Sequence, residues 1–419
     1  MSISNENQSL KQLIVLGNGF DLACGLKSTY YDFFDYIYGQ KILNNTSPNN
    51  FWYEIFNNYK QDTIENWADI EEQILVQLKN IEYLYKEGFL KEEKGDSETR
   101  SLIDSRHKSG DITDNHYVTA ESLLLNCYKV TSEKESQNIL KNQLSILEKD
   151  FLEYLKIQID ETLYPNLFHN YYLKTLIMLC YIQCINTTKY NQSNFIFEIQ
   201  SASMDSRTLQ KDKFKSEISN IQSEVNNNET ICLSFNYTKL MKNLNIRNIH
   251  GDLDNGNIIF GIDYDKLNKN FEINEGNSTN NKAGNDEYKL KKSPIEFSKS
   301  YRVLENGLTS TFDISSDIDI IKIYGHGLGK ADYSYYQSIF DSVDLYHGKT
   351  EVMFFWSDYE GKEKEQIHKN FVKGVTNLIE EYGTTFTNKD HGRNLFTKLL
   401  LENRLTIEEI PVNALFLNV

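Results

Sequence analysis

Residues 12–21 read QLIVLGNGFD, a short apolar run that passes straight into Gly17-Asn18-Gly19. A run of this kind closed by a glycine turn is how a strand buried on both faces of a parallel sheet looks when it feeds a helix. The helix is legible just behind it, where aromatic residues recur at helical spacing in STYYDFFDYIYG (28–39). The strand-then-turn signal returns at TICLSF (230–235), RNIHGDL (247–253), IDIIKIYG (318–325) and TEVMFFW (350–356). Helical patterns separate these units, over DYSYYQSIFDSV (332–343), 361–382 and 391–403. Strands alternating with helices predict an α/β fold with a Rossmann-like, mostly parallel open sheet.

Between the first strand and the second lies a long stretch of a different kind. IEEQILVQLKNIEYLYKEGFL (70–90) and NILKNQLSILEKDFLEYLKIQIDETL (138–163) are its clearest helices, and NFIFEI (194–199) is its one strand-like run. The expected organisation is therefore a Rossmann-like domain from residues 1–40 and 226–419, carrying a large, predominantly helical insertion over 41–225. Two polar stretches, 91–116 and 264–292, read as long loops.

Composition narrows the function classes. The 419 residues carry 44 Lys+Arg against 60 Asp+Glu, a formal charge of −16, which disfavours binding to a nucleic-acid backbone. An aromatic share of 13% implies a packed core rather than a disordered chain. The five cysteines, Cys24, Cys127, Cys180, Cys184 and Cys232, contain no CxxC pair, so no zinc ribbon and no metal site is expected. Cys180 and Cys184 fall on one face of a buried helix by their spacing. The N-terminus lacks an apolar signal segment, and the longest apolar stretch (173–185) is too short to span a bilayer. A cytoplasmic protein without membrane attachment is expected.

Ligands of open α/β sheets bind outside the carboxyl ends of the strands, and four segments end strands here. They are Gly17-Asn18-Gly19-Phe20-Asp21, Phe235-Asn236-Tyr237-Thr238, Ile249-His250-Gly251 and Tyr324-Gly325-His326-Gly327-Leu328-Gly329. Gly17 and Gly19 suit either a phosphate-binding turn or a simple bend, and the full GxGxxG fingerprint is not met because position 22 is Leu. Asn236 reads either as a ligand-facing amide or as a cap on the next helix, and Asp21 likewise caps or contacts. His250 reads as an acid–base group near its working pKa or as a core or turn histidine bonded to backbone, and His326 shares that second alternative. Trp67, Asp69 and Glu71 stand at the start of a helix, facing a cleft or serving that helix turn.

GNGFD (17–21), WADIE (67–71), FNYT (235–238), IHG (249–251) and YGHGLGKADY (324–333) occur in this order, and together they resemble the AbiH family of bacteriophage abortive-infection proteins. The resemblance extends to Trp356–Glu360 and 392–405. AbiH proteins in turn resemble the sirtuin-like Rossmann fold. That resemblance implies a glycine loop on a dinucleotide pyrophosphate (Gly17, Asn18, Gly19, Phe20, Asp21, Gly25) and a late strand-end loop on the same ligand (Gly325, His326, Gly327, Leu328). It implies Asn236 beside the ribose and His250 as base. The departures are Lys27 in place of the usual Pro and the missing four-cysteine zinc module, which disfavours peptide deacetylation.

The implied function is an anti-phage effector that binds and hydrolyses NAD⁺ or a related nucleotide, with Asn236 and His250 as catalytic residues. The partners implied are that small nucleotide, a phage or host trigger protein and a second copy of the chain. The alternative is a non-catalytic nucleotide-binding sensor, or an interaction protein that blocks a host or phage partner.

Overall fold

The computed structural model describes residues 10–44, 50–61, 69–86, 133–160, 165–185, 229–238, 246–271, 294–308, 314–329, 332–358 and 363–416. The chain forms two compact units, one from residues 1–29, 154–257 and 309–419, the other from 30–153 and 258–308.

The first unit holds a six-stranded sheet, with β1 at Lys11–Leu16, β2 at Glu229–Ser234, β3 at Ile246–Asn248, β4 at Ile320–Tyr324, β5 at Glu351–Trp356 and β6 at Leu405–Glu409. Its order is β3-β2-β1-β4-β5-β6 and every pairing is parallel. The chain winds outward from β1 in one direction through β2 and β3, then in the other through β4, β5 and β6. This is the doubly wound Rossmann order, with its switch point between β1 and β4. The α/β sheet read from sequence is thus present, wholly rather than mostly parallel, and all five strand signals correspond to strands.

Alternation along β1 explains the layers. Leu13 and Val15 point to one face, where they meet α9 (Tyr333–Ser342), α10 (Lys364–Thr384) and α11 (Lys389–Leu401). Ile14 and Leu16 point to the other, where α1 (Gly19–Ala23), α6 (Pro165–Cys184) and α12 (Val412–Leu415) cover them. Cys180 and Cys184 are both buried in α6, as their spacing predicts. Lys322 sits in the middle of β4 on this face and is fully buried. Its Nζ donates to the carbonyls of Ile182 (2.8 Å) and Gln183 (3.0 Å) at the carboxyl end of α6, where the helix dipole favours a cation. Burial nevertheless pulls the amine down to about 7.

The second unit contains α2 (Tyr30–Asn44), α3 (Phe51–Gln61), α4 (Ile70–Lys86), most of α5 (Glu133–Gln158), α7 (Tyr264–Phe271) and α8 (Lys299–Glu305). Phe33, Phe34, Trp52, Phe56, Phe151 and Phe260 supply its buried aromatic core. Arg302 grips Glu148 through both guanidinium ends and donates to Phe260 O (2.6 Å), while Phe260 N donates to Glu148 Oε1 (2.6 Å). This bidentate pair draws 258–308 onto α5. The compact units therefore divide the chain elsewhere than at 40/41 and 225/226. Helix α6 sorts with the sheet, because its apolar face covers β1 and β4, and 258–308 sorts with the helices. Residues 257–265 contribute a single parallel bridge, Ile262 to Ser298. Of the stretch 264–292 read as a loop, Tyr264–Phe271 is helix α7, and 272–292 lies outside the described residues, as do the readings at 91–116, 194–199 and Trp67.

Candidate functional site at the strand ends

The four strand-ending segments converge in the first unit because parallel pairing carries their strands to one sheet edge. The ladder continues past the strands: Phe235 N donates to Leu16 O (2.8 Å), Gly17 N to Tyr324 O (2.9 Å) and Ile249 N to Ser234 O (2.9 Å). Register pairs Ser234 with Asn248, so Asn236 and His250 each stand two positions beyond the paired ends of adjacent strands. The crossover between these strands, 239–245, lies outside the described residues.

The glycines of the β1 and β4 loops are explained by each other. Gly19 N donates to Gly325 O (2.7 Å) and Phe20 N to Gly17 O (2.9 Å). A Cβ on Gly17 would lie 2.5 Å from His326 Cα, and one on Gly19 2.8 Å from Gly325 Cα. Gly325 has φ +72°, and its Cβ would lie 2.3 Å from Phe20 N. Only glycine lets two backbones approach this closely. The N–H groups of Gly17, Gly19 and Phe20 are therefore engaged by the protein's own carbonyls. As a pyrophosphate cradle the β1 loop does not fit: its approach side is filled by the β4 loop, and these donors are taken.

The side chains around the loops follow the same pattern. Asn18 exchanges hydrogen bonds with Ser28, accepting from Ser28 Oγ at 2.6 Å. Phe20 is buried edge-on against Tyr324, with ring centroids 6.2 Å apart. Gly25 adopts φ +93° in the turn after α1. A Cβ on Gly327 would meet open space. Leu328 is buried with φ +49°, and its N–H donates to His326 Nδ1 (3.1 Å). That bond makes Nδ1 the acceptor and leaves Nε2–H to donate to Asp332 Oδ2 at 3.1 Å. Both nitrogens of His326 thus hold the β4 loop, the backbone-bonded alternative read from the sequence.

Asp21 is 1% exposed and accepts from Thr238 Oγ1 (2.7 Å) and from Tyr171 Oη of α6 (2.9 Å). Burial raises its carboxyl to about 6, and the two hydroxyl donors partly offset that rise. Asp21 is therefore a junction joining the glycine loop, α6 and the loop after β2. Asn248 completes the junction, donating from Nδ2 to the carbonyls of Asn236 (2.6 Å) and Thr238 (2.9 Å). Thr238 lies inside the FNYT segment and Asn248 two residues before His250, so both were in view of sequence reading; only the fold reveals that they touch. Tyr171 carries no such signal, being one aromatic among many.

Phe235 is the hub of the cluster. Its ring lies 5.6 Å from that of His250, 4.6 Å from His326 and 5.6 Å from Tyr335. His250 is buried, with its ring 5.3 Å from Tyr335. Asn236 is 4% exposed, yet among the described residues neither Oδ1 nor Nδ2 has a hydrogen-bond partner. Burying an amide unpaired costs about 1–3 kcal/mol per group, which makes this amide, at a strand end, a candidate ligand contact. Chemically the amide offers two N–H donors and a carbonyl acceptor, and His250 beside the same loop offers an acid–base group.

Away from the sheet edge, Asp69 and Glu71 serve the second unit. Asp69 Oδ1 accepts from Glu72 N (3.0 Å) at the start of α4, and Glu71 pairs with Lys299 (2.6 Å). Among the described residues no three His, Cys, Asp or Glu side chains are grouped to hold a metal, and no helix is long and apolar enough to cross a membrane.

No curated protein and no solved structure matches the chain. The family model described as "Bacteriophage abortive infection AbiH" matches residues 13–356, from the first strand to the end of β5 and across all four strand-ending segments. The chain belongs to the AbiH family of bacteriophage abortive-infection proteins.

Proposed function

We propose that this abortive-infection protein acts by binding a small nucleotide, NAD⁺ or a related one, at the strand-end cluster and cleaving its N-glycosidic bond. The observation that carries the reading is the buried, unpaired amide of Asn236 at the edge where α/β sheets take ligands. In this reading the amide orients the ribosyl group. The base leaves with the electron pair of the broken C–N bond, water oxygen bonds to the ribose C1′, and His250 accepts the proton that water releases. Because the β1 loop does not fit a pyrophosphate, no step depends on phosphate contacts there.

A second reading, a nucleotide sensor without turnover, is favoured by the engagement of Asp21 and His326 with protein partners. One experiment separates the two. Purified protein is incubated with NAD⁺ and free nicotinamide is followed, for the wild type, His250→Ala and Asn236→Ala. The enzyme reading expects turnover that falls about 10²–10⁴-fold in His250→Ala, together with lost phage protection. Binding without turnover, with protection intact in His250→Ala, supports the sensor; neither binding nor turnover removes both.

A further inference from the structure

The loop after β2 combines two opposite features. Its backbone is tied at several points: Phe235 N to Leu16 O, Asn236 N to Ser234 Oγ (3.1 Å), and Leu253 N to Tyr237 O (2.9 Å). The carbonyls of Asn236 and Thr238 share the two hydrogens of one Asn248 amide. Thr238 Oγ1 is bonded to Asp21, which Tyr171 holds from α6. Yet the side-chain amide that this loop carries into the buried cluster has no partner of its own among the described residues. The segment is fixed on both sides of Asn236.

We propose that Thr238 and Asn248, with Asp21 behind Thr238, are positioning residues that hold the Asn236 amide ready for a ligand. None of the three has to touch the ligand. They pre-set the orientation of the one group that does, so ordering the loop is not left to the binding step. This assignment moves Asp21 from ligand contact to support, and it adds Thr238 and Asn248 to the site. It rests on the reading of Asn236 as the ligand-facing amide.

The test uses substitutions close in shape that alter these hydrogen bonds, of which Asn248→Asp also sets a carboxylate against the two carbonyls. Thr238→Val removes the hydroxyl, Thr238→Ser retains it, and Asn248→Asp removes the donor. NAD⁺ is the binding probe, by calorimetry on the full chain. The second measurement is the side-chain amide signal of Asn236 in asparagine-labelled protein, assigned by its loss in Asn236→Asp. Thr238→Val and Asn248→Asp are expected to weaken NAD⁺ binding about tenfold or more, and Thr238→Ser by about threefold or less. The Asn236 signal should shift or broaden in Thr238→Val and stay in place in Thr238→Ser. Wild-type affinity and an unmoved signal in Thr238→Val overturn the proposal. If the wild type itself does not bind NAD⁺, the nucleotide reading fails, and the Asn236 signal alone decides the positioning role. Movement in Thr238→Val then sustains that role, and an unmoved signal overturns it.

Discussion

Thr238 Oγ1 donates to Asp21 Oδ2 at 2.7 Å, joining the first helical turn of the chain to a loop 217 residues later. Two motif segments that look independent in sequence are thereby parts of one buried polar junction.

The junction makes stability depend on pH. The Asp21 carboxyl rises from the ordinary 3.8 to about 6 on folding, so between those values the native state binds the extra proton. Stability is therefore fullest below pH 4 on account of this group and falls as pH rises to about 6. The size is on the order of 3 kcal/mol. Asp21→Asn should flatten that fall, read from urea unfolding at pH 4 and pH 7. An equal slope in the variant would show that Asp21 does not titrate this way.

The two loops predict unequal glycines. Gly325→Ala places a Cβ 2.3 Å from Phe20 N at φ +72° and should cost about 3 kcal/mol or more. Gly327→Ala meets open space and should stay within about 0.5 kcal/mol. Thermal unfolding of the pair checks both, and any loss of ligand binding in folded Gly327→Ala would then report contact rather than collapse.

In the helical unit, Arg302→Ala leaves the Glu148 carboxylate buried without its guanidinium partner, held by Phe260 N. Destabilisation of about 3–5 kcal/mol is expected by denaturant unfolding, with a smaller cost when Glu148→Leu and Arg302→Met are combined. A double variant as unstable as the single would mean that packing, not charge, sets the cost.

Lys322 gives a slope of opposite sign to that of Asp21. Its amine falls to about 7 in the fold from the ordinary 10.5, so the unfolded chain binds the extra proton across that window. This contribution is full above pH 10.5 and is lost as pH falls to 7. Relative to Lys322→Met, the wild type should gain up to about 4 kcal/mol between pH 7 and 10.5. Parallel denaturation curves at the two ends would contradict this.

The legible part of the fold was its buried strands. β1, β2, β4 and β5 are each mostly apolar and buried over the end that leads into the site, so each announces itself as a short run without needing its neighbours. β6 (LTIEE) escaped because this edge strand carries only two large apolar residues, ends in two acidic ones and follows helix α11 after a tight turn at Asn403, φ +54°. In the site, Asn236 and His250 were visible because polar residues stand out at the end of apolar runs. The real use of Gly17, Gly19 and Gly325 was not, since a glycine that admits a phosphate and one that admits another backbone are written with the same letter. Asp21 was ambiguous for a like reason, as its partners Thr238 and Tyr171 are set by the crossover of the chain and not by spacing.

The placement of β1 has a consequence during synthesis. This strand pairs with β2 from Glu229 and with β4 from Ile320, so it is made first and waits through the longest stretch of chain for a neighbour. At about 5–20 residues per second, roughly 10–40 s pass before β2 emerges. Through that interval one of the most apolar segments of the chain has both hydrogen-bonding edges open to strangers. Ribosome-bound chains stalled before residue 229 should therefore hold chaperones on QLIVL, and chains stalled well past residue 356 should release them.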